Sequence, residues 1–274
     1  MARSQGTTGT SQSLERGLAI LSSFHANRSL IGVSELSRGL DLSRSTAHRY
    51  VTTLAKLGYL QQDPESKRYR LGPKVLDLGF SALNSMDLLE ISAPYLRQLS
   101  DETQHTVNLA ILDGTEVVYI ERCRTTRPGQ QDIDLNLHVG ARLPAYCTAM
   151  GKLLLAYLPD RERRELMTDI RLERRAPGTI TNRRLLAIEF ERIREEGYAV
   201  NDQELTPGLH SIAAPIRSDS REVVAATNMA AHSSMISLQD LIDHLGPHLI
   251  ATADRISARL GYRRDDELAA AGSG

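Results

Sequence analysis

The spacing of apolar residues near the start of the chain predicts a helix. Leu14, Leu18 and Leu21 recur at positions i, i+4 and i+7, with Ile20 and Phe24 beside them. Residues at this spacing share one face of an α-helix. The pattern therefore predicts an amphipathic helix that packs through its apolar side.

Three serines are expected to begin helices. Ser13, Ser34 and Ser43 each precede a run with helical spacing, and a serine hydroxyl in this position accepts a backbone N–H that has no partner inside the helix. The helix after Ser34 is expected to end near Gly39, and the helix after Ser43 at Gly58. Glycine favours the left-handed conformation that closes a helix.

The helix predicted over residues 44–57 has two unlike faces. Ala47, Val51 and Leu54 lie on the side that would pack inwards, and polar residues take the other side. Two strands are predicted at residues 59–62 and 68–71, because the segment between them is rich in turn formers. Two helices, a short turn, a third helix and a hairpin together predict a winged helix-turn-helix over residues 13–72.

The rest of the chain predicts a second, mixed domain. A linker helix is expected over residues 73–87 and a domain of strands and helices over residues 88–262. Asp113-Gly114 between two apolar runs is typical of a β-hairpin. A last helix is expected to kink at Gly246-Pro247. The fold class is therefore α+β, with a winged helix-turn-helix joined by a linker helix to an α/β domain. Tails without regular structure are expected at residues 1–12 and 263–274.

Composition narrows the class of protein. The chain of 274 residues has two cysteines, so no disulfide framework is expected. It lacks an apolar signal peptide and any run long enough to cross a membrane, so we expect it in the cytoplasm, without a membrane partner. Residues 1–72 contain ten Lys and Arg against five Asp and Glu, whereas the remainder is net negative. This asymmetry indicates that the N-terminal domain meets a polyanion.

The polar face of the third helix suits double-stranded DNA. An α-helix fits the major groove, where its exposed side chains meet base edges, while basic residues of a wing contact phosphates. Phosphate contacts set register and base contacts set sequence preference. The candidate DNA-binding residues are Ser34, Ser43, Arg44, Ser45, Thr46, His48, Arg49, Thr52, Lys67, Arg68 and Arg70.

Three segments together resemble the IclR family of bacterial transcription regulators. They are residues 13–79, the segment HVGARLPAYCTAMGKLLLAYLP and the segment GYAVNDQELTPGLHSIAAPIRSDSREVVAATNMAAHSS. The resemblance implies a GAF-like effector-binding domain, a homodimer or homotetramer, and control by a small organic acid or aromatic compound, with no cofactor. Within the family, RLPAYCTAMGK and NDQELTPGLHSIAAPIR are most similar to the branch that regulates aromatic-acid breakdown through protocatechuate and the β-ketoadipate pathway.

The resemblance also implies a position for the effector. Family members bind it on the sheet of the C-terminal domain, and the matching positions here are Ala149, Met150, Asn201, Ser211, Asn228 and Ala230. Asn201 stands where members that bind small oxo-acids have an acid, Ser211 where they have a thiol and Ala230 where they have a hydroxyl. These departures favour a larger or aromatic ligand over a short oxo-acid, which remains the alternative.

The residues themselves suggest further polar groups for this pocket. A pocket needs apolar walls with a few fixed polar groups. Asn108, in addition to Asn201, Ser211 and Asn228, could supply such a polar group. Arg142 or His138 could neutralise a carboxylate. The bland interpretation is that Asn201 and Asp202 form a turn, that Asn108 satisfies a buried backbone group and that Arg142 lies on the surface. Asp202 is kept with the candidates.

Three other functions are open. An enzyme could use Cys147 as a nucleophile with His138 as its base, but no elbow or phosphate loop accompanies them, and both cysteines suit apolar packing. A metal sensor could use His244 and His248, which share a helix face, although two ligands do not close a site. An architectural DNA-binding protein without a ligand would not need so large a second domain. We therefore expect a regulator that is not an enzyme and holds no metal.

Overall fold

The chain divides into two compact units. The computed structural model describes residues 10–25, 28–84, 87–124 and 137–263. The division lies between residues 85 and 86, and each unit has its own buried apolar core. The tails predicted at residues 1–12 and 263–274 fall almost entirely outside the described residues.

The N-terminal unit has the predicted order of helices and strands, which confirms the winged helix-turn-helix. Its two strands pair antiparallel, with Gln61 opposite Arg70. A further backbone bridge joins Ile31 to Tyr69 and ties the hairpin to the segment before the second helix. The elements are α1 (Gln12–Ser22), α2 (Val33–Gly39), α3 (Arg44–Lys56), β1 (Leu60–Gln62), β2 (Tyr69–Leu71) and α4 (Lys74–Asn84).

Helix α1 is present, but the leucine face is not its buried face. Leu14 and Leu18 are 63% and 55% exposed, whereas Ile20 and Phe24 are buried. The helix has apolar residues on two sides, and the side that reaches the common core is the one that carries Ile20. Periodicity shows that a helix is amphipathic but cannot decide between two apolar sides.

The first two predicted caps were wrong by two residues each. Helix α1 begins after Ser11 rather than Ser13, and the Ser11 side chain makes no cap bond. Helix α2 begins after Gly32, whose backbone N–H donates to the Glu35 carboxylate at 2.8 Å. Glu35 supplies the polar group that Ser34 was expected to supply, so Ser34 lies in the first turn of the helix instead.

The third helix matches its prediction closely. The Ser43 hydroxyl caps α3 by accepting the backbone N–H of Thr46 at 3.1 Å. Ala47 and Val51 are wholly buried. Gly58 follows the helix with φ of +85°, the left-handed conformation that glycine adopts without strain.

Over the described residues, the C-terminal unit is built on one antiparallel sheet of six strands, in the order β5-β4-β3-β8-β7-β6. One face of the sheet packs against α6, and the other packs against α5 and α10. The elements are α5 (Asp87–Thr103), β3 (Val107–Asp113), β4 (Glu116–Cys123), β5 (Arg142–Pro144), α6 (Ala149–Tyr157), α7 (Asp160–Asp169), α8 (Arg183–Glu196), β6 (Ala199–Asp202), β7 (Leu209–Arg217), β8 (Val223–His232), α9 (Leu238–Asp240) and α10 (Gly246–Arg259).

The predicted kink in the last helix is a π-helical turn. It spans Leu241–Leu245 and separates α9 from α10. Pro247 then lies in the first turn of α10, the part of a helix that tolerates proline. The wider turn accommodates the proline without breaking the helical path.

A 3₁₀ turn that sequence reasoning missed leads into α6. It spans Ala145–Cys147, and the hydroxyl of Thr148 then caps α6 by accepting the N–H of Gly151 at 3.1 Å. A Cβ atom on Gly151 would lie 2.2 Å from the carbonyl oxygen of Ala145. The helix and the turn before it therefore approach too closely for any side chain at this position.

We expect Gly151→Ala to destabilise the protein by about 1–3 kcal/mol, because the new methyl group must push backbone apart. Gly17→Ala is the matched control, since a Cβ atom there meets nothing within 4 Å and alanine favours a helix interior by up to about 1 kcal/mol. Denaturant unfolding followed by circular dichroism compares the two variants. A Gly151→Ala protein as stable as the wild type would contradict the close approach.

Candidate DNA-binding and effector-binding surfaces

Helix α3 presents the polar face that the sequence predicts. Arg44, Ser45, His48, Arg49 and Thr52 are all exposed. At 100° per residue they cover an arc of about 140°. The wholly buried Ala47 and Val51 anchor the opposite side. The helix is thus held by its apolar side and offers two arginines, a histidine and two hydroxyls to solvent.

Three of the other candidates lie at helix starts. The Ser43 hydroxyl is 2.8 Å from the Thr46 hydroxyl as well as receiving the Thr46 N–H. The Ser45 hydroxyl also lies 3.0 Å from the Ser43 hydroxyl, so these side chains together shape the first turn of α3. Ser34 lies exposed in the first turn of α2.

The three basic residues of the wing have different surroundings. Lys67 is exposed, and Arg70 donates to the Gln61 side chain at 3.2 and 3.1 Å. Arg68 donates to the Glu35 carboxylate at 2.7 Å and to the Leu30 carbonyl at 3.0 Å. Arg68 therefore ties the wing to the start of α2, a contact that was not predicted.

The sheet face that packs on α6 carries most of the candidate effector residues. Asn108 and Asn228 are directly opposite each other on β3 and β8, and Nδ2 of Asn108 donates to Oδ1 of Asn228 at 2.9 Å. Ser211 is opposite Ala230. Ala230 packs against the core that contains Ala149 and Met150, both nearly inaccessible in α6. These candidates share one layer between the sheet and the helix.

Asn201 and Asp202 differ from the rest. Asn201 is wholly buried, donates to the Cys147 carbonyl at 2.6 Å and accepts the Glu204 N–H at 3.2 Å. Its amide thus joins β6 to the turn before α6. Asp202 is exposed and lies 3.2 Å from the His210 ring. Within these contacts Asn201 positions backbone, and Asp202 lies at the surface.

A buried ionic cluster, which the sequence motifs did not predict, lies between α6, α8 and the end of β6. Lys152 in α6 is 1% exposed and pairs with Glu204 and, at 2.9 Å, with Glu189 of α8. Burial raises the pKa of Glu204 despite the lysine beside it. Burial also acts on Glu189, but hydrogen bonds and charge from Arg192 and Lys152 hold the pKa of Glu189 below its usual value. A lysine inside the apolar run AMGKLLLAY was the signal that could have found it.

The residues proposed to neutralise a carboxylate lie elsewhere. Arg142 is on the sheet edge, where it bonds to the carboxylates of Asp113 and Glu116. His138 is exposed and contacts the Val139 carbonyl at 2.9 Å. The surface interpretation of Arg142 therefore agrees with the structure. On the α6 face, Nη1 of Arg122 lies 3.4 Å from the Asn108 amide oxygen.

The structure also locates the residues that the rival functions would require. Cys147 is wholly buried, and burial raises the pKa of its thiol to about 12, which disfavours a nucleophilic thiolate. His244 and His248 are both exposed on the last helical segment. Among the residues described, no three His, Cys, Asp or Glu side chains are grouped as metal ligands. No helix in the described ranges is long and apolar enough to cross a bilayer.

Two family models match the two units. The IclR helix-turn-helix domain matches residues 13–64, and the model described as bacterial transcriptional regulator IclR C-terminal matches residues 80–258. The chain belongs to the IclR family. The resemblance proposed from the sequence is therefore confirmed, and the protein is a transcription regulator of this family.

Relatives of known name or structure span nearly the whole chain. The Pca regulon regulatory protein of Pseudomonas putida is 36% identical over 241 residues, which cover 88% of this chain and 81% of the relative. The crystal structure of a regulator from Rhodococcus sp. RHA1 is 39% identical, with a TM-score of 0.79, over 92% of this chain and 98% of that one. An IclR homologue of Microbacterium hydrocarbonoxydans, complexed with 4-hydroxybenzoate, is 26% identical with a TM-score of 0.78, over 91% and 99%.

We expect Lys152→Met to destabilise the protein by about 3–5 kcal/mol, because it leaves buried carboxylates without a cation. Without the lysine, the pKa of Glu204 should rise further, and a raised folded-state pKa gives stability below the unfolded pKa that is lost as pH rises. The variant should therefore regain stability when the pH falls from 7 to 5, and Lys152→Met with Glu204→Gln should recover part of the loss at pH 7.

Denaturant unfolding at several pH values measures both effects. Lys56→Met is the control, because Lys56 is an exposed lysine at the end of α3. A Lys152→Met protein whose stability does not differ from that of the control at pH 7 would show that the cluster is not needed.

Proposed function

We propose that this protein binds operator DNA through α3 and the wing, and that an aromatic or related organic acid bound to its C-terminal unit changes that binding. The polar, basic face of α3 carries the proposal. Its inner side is buried in the core, so its polar side chains face solvent, which supports a role for α3 in the major groove.

The candidate residues take different parts in this proposal. Arg44, Arg49 and His48 are exposed and long enough to reach base edges or phosphates, while Ser45 and Thr52 are suited to phosphate oxygens. Lys67 and Arg70 of the wing are exposed, and we assign them to contacts with phosphate. Ser43 and Thr46, with the backbone N–H groups at the start of α3, suit the same anion, and Ser34 is exposed in the first turn of α2.

The effector class rests on the relatives and on the sheet face. The Pca regulator of Pseudomonas putida and the homologue complexed with 4-hydroxybenzoate both span this chain. Asn108, Ser211 and Asn228 would orient the ligand over Ala149, Met150 and Ala230, with Asn201 and Asp202 beside them. A short oxo-acid is the second candidate, but the alanine and the amides at these positions favour a larger ligand. We propose control by binding, without catalysis or a cofactor.

The N-terminal unit is proposed to work as a homodimer in the cytoplasm, where bacterial DNA is found. Leu14 and Leu18 of α1, with Leu76 and Leu78 of α4, are all more than half exposed in this unit. Four such leucines on one small domain favour burial against a second copy. Two α3 helices would then meet half-sites about 34 Å apart. The family also implies a homotetramer, which we propose as the further assembly. Helix α4, the last element before the division, is the candidate element through which effector binding would change the spacing of the two DNA-binding helices.

Binding to DNA tests the proposal directly. A duplex selected from a random pool by the full-length protein is titrated at fixed salt, with and without 4-hydroxybenzoate and 3,4-dihydroxybenzoate. We expect at least one acid to change the affinity severalfold, and Arg49→Ala to weaken binding by about 1–3 kcal/mol if it contacts a base. Arg161→Ala, which removes an 88% exposed arginine from the C-terminal unit, is the control. Unchanged affinity for Arg49→Ala would exclude this role, and a protein with no preference for any duplex would overturn the proposal.

Salt dependence separates two kinds of wing residue. Each phosphate contact adds about 0.9 to the slope of log affinity against log salt. Lys67→Ala should lower the slope by about that amount. Arg68→Ala should weaken binding with little change of slope, because Glu35 already holds its guanidinium, and Glu35→Gln should mimic it. An Arg68→Ala slope that falls as far as that of Lys67→Ala would make Arg68 a phosphate contact instead.

A further inference from the structure

A groove between α5 and α10 opens to solvent on the C-terminal unit. The two helices pack against each other, and α5 turns Ser92, Leu96 and Leu99 inwards. The groove faces away from these buried residues and has a volume of about 370 Å³. Its lining consists of Glu90, Ile91, Pro94, Tyr95, Gln98 and Arg259. It therefore combines an apolar and aromatic surface with one acidic and one basic residue.

The two charged residues of the groove have no partner within the described part of the chain. Glu90 and Arg259 are both exposed, and neither side chain makes an ion pair or a hydrogen bond to another described residue. Arg255, one turn before Arg259, has partners. Its guanidinium lies over the Tyr95 ring at 4.8 Å and donates to the Gln98 side chain at 3.5 Å. Arg255 therefore belongs to the wall of the groove, whereas Glu90 and Arg259 are available to a binding partner.

Pro94 adds a second hydrogen-bond acceptor on the acidic side of the groove. It lies inside α5 and has no backbone N–H, so the carbonyl of Glu90, four residues before it, lacks its usual helical donor. That carbonyl points along the helix towards Pro94, which itself lines the groove. Glu90 thus presents a carboxylate and a carbonyl. One guanidinium can donate to both, because it has five N–H groups in one plane.

The groove is complementary to a copy of itself. The acceptors lie on α5 and the donor lies on α10. A rotation by 180° about an axis through the groove exchanges the two, so that Arg259 of a second copy would meet Glu90, and Glu90 of that copy would meet Arg259. Ile91, Pro94 and Tyr95 would be covered in the same contact, and tyrosine is enriched in interface cores. A different protein would have to match both charges separately, whereas a second copy matches them by symmetry.

We propose that a second copy of this chain docks on the α5–α10 groove, with Glu90 of each copy paired with Arg259 of the other. The inference rests on the proposed function in one respect, that the protein works as a homo-oligomer. It adds a contact in the C-terminal unit to the contact proposed for the leucines of α1 and α4. Opposite charges at the two ends of an interface fix its register and exclude other arrangements.

Charge reversal in the full-length protein tests this contact. Sedimentation velocity over a range of concentrations measures the association of the wild type, of Glu90→Arg, of Arg259→Glu and of an equimolar mixture of the two variants. Each variant alone places like charges at both ends of the interface, so we expect its association to weaken by about tenfold or more. In the mixture one copy carries two arginines and the other two glutamates, so the charges match again and association should return. Only a contact between copies can be rescued in this way.

Glu195→Arg is the matched control, because it makes the same charge change on an exposed residue of α8, which packs on α6 at the opposite face of the sheet. It should associate like the wild type. Thermal unfolding checks that each variant is folded, and Glu90→Gln and Arg259→Gln, which should weaken association less, replace a reversal that does not fold. Single variants that associate like the wild type, or a mixture without recovery, would overturn this contact and leave the homodimer of the N-terminal unit standing. A wild-type protein that stays monomeric at every concentration would overturn both.

Discussion

A single buried lysine constrains much of the C-terminal unit. Moving an ammonium group out of water costs several kcal/mol unless opposite charge accompanies it. Lys152 is 1% exposed, so carboxylates have to reach it, and they come from two separate parts of the chain. Glu189 lies on α8 and Glu204 follows β6, so the relative positions of α6, α8 and the end of the sheet are fixed by one charge.

The position of α6 over the candidate effector face of the sheet is linked to the ionic cluster of Lys152. Asn201, three residues before Glu204, receives the N–H of Glu204 and donates to the carbonyl of Cys147 at the entry to α6. Gly151 allows the first turn of α6 to approach the 3₁₀ turn without a side chain between them. Together these contacts hold α6 over the sheet. The distance between α6 and the asparagines of β3 and β8 is therefore set by contacts outside the layer in which these asparagines lie.

Local patterns predicted the elements well because local chemistry decides them. Ser43 and Gly58 bracket α3, and Asp113-Gly114 turns the hairpin of the sheet, as expected. The errors arose where a distant partner decides. The periodicity of α1 predicts two apolar sides, and only packing in the common core with Val51, Leu60 and Tyr69 selects the side of Ile20. Glu35 replaced the serine cap because it also meets Arg68 from the wing.

The candidate sites show the same limit. The outer face of α3 follows from the helix period, and its exposed residues were predictable one by one. The face on which Arg122 lies was not predictable, because strict alternation places Arg122 and Tyr119 on opposite faces. A β-bulge, where the register shifts between Leu109 and Ala110, puts both on one face. Arg142 was a candidate partner for a carboxylate, but the carboxylates of Asp113 and Glu116 already bond to it at the sheet edge. Pairing across strands, which the sequence does not show, decided this outcome.

Because the N-terminal unit is small, assembly into a dimer would add to its stability. A domain of about 60 residues buries only about 60% of the surface of its unfolded chain, so its stability is marginal. Here the buried core is small and centres on Ile20, Ile31 and Val51, while Leu14 and Leu18 stay exposed. In the proposed dimer, covering those leucines would stabilise the fold and fix the spacing of the two α3 helices together. An effector that alters how two copies meet would then change DNA affinity without touching α3.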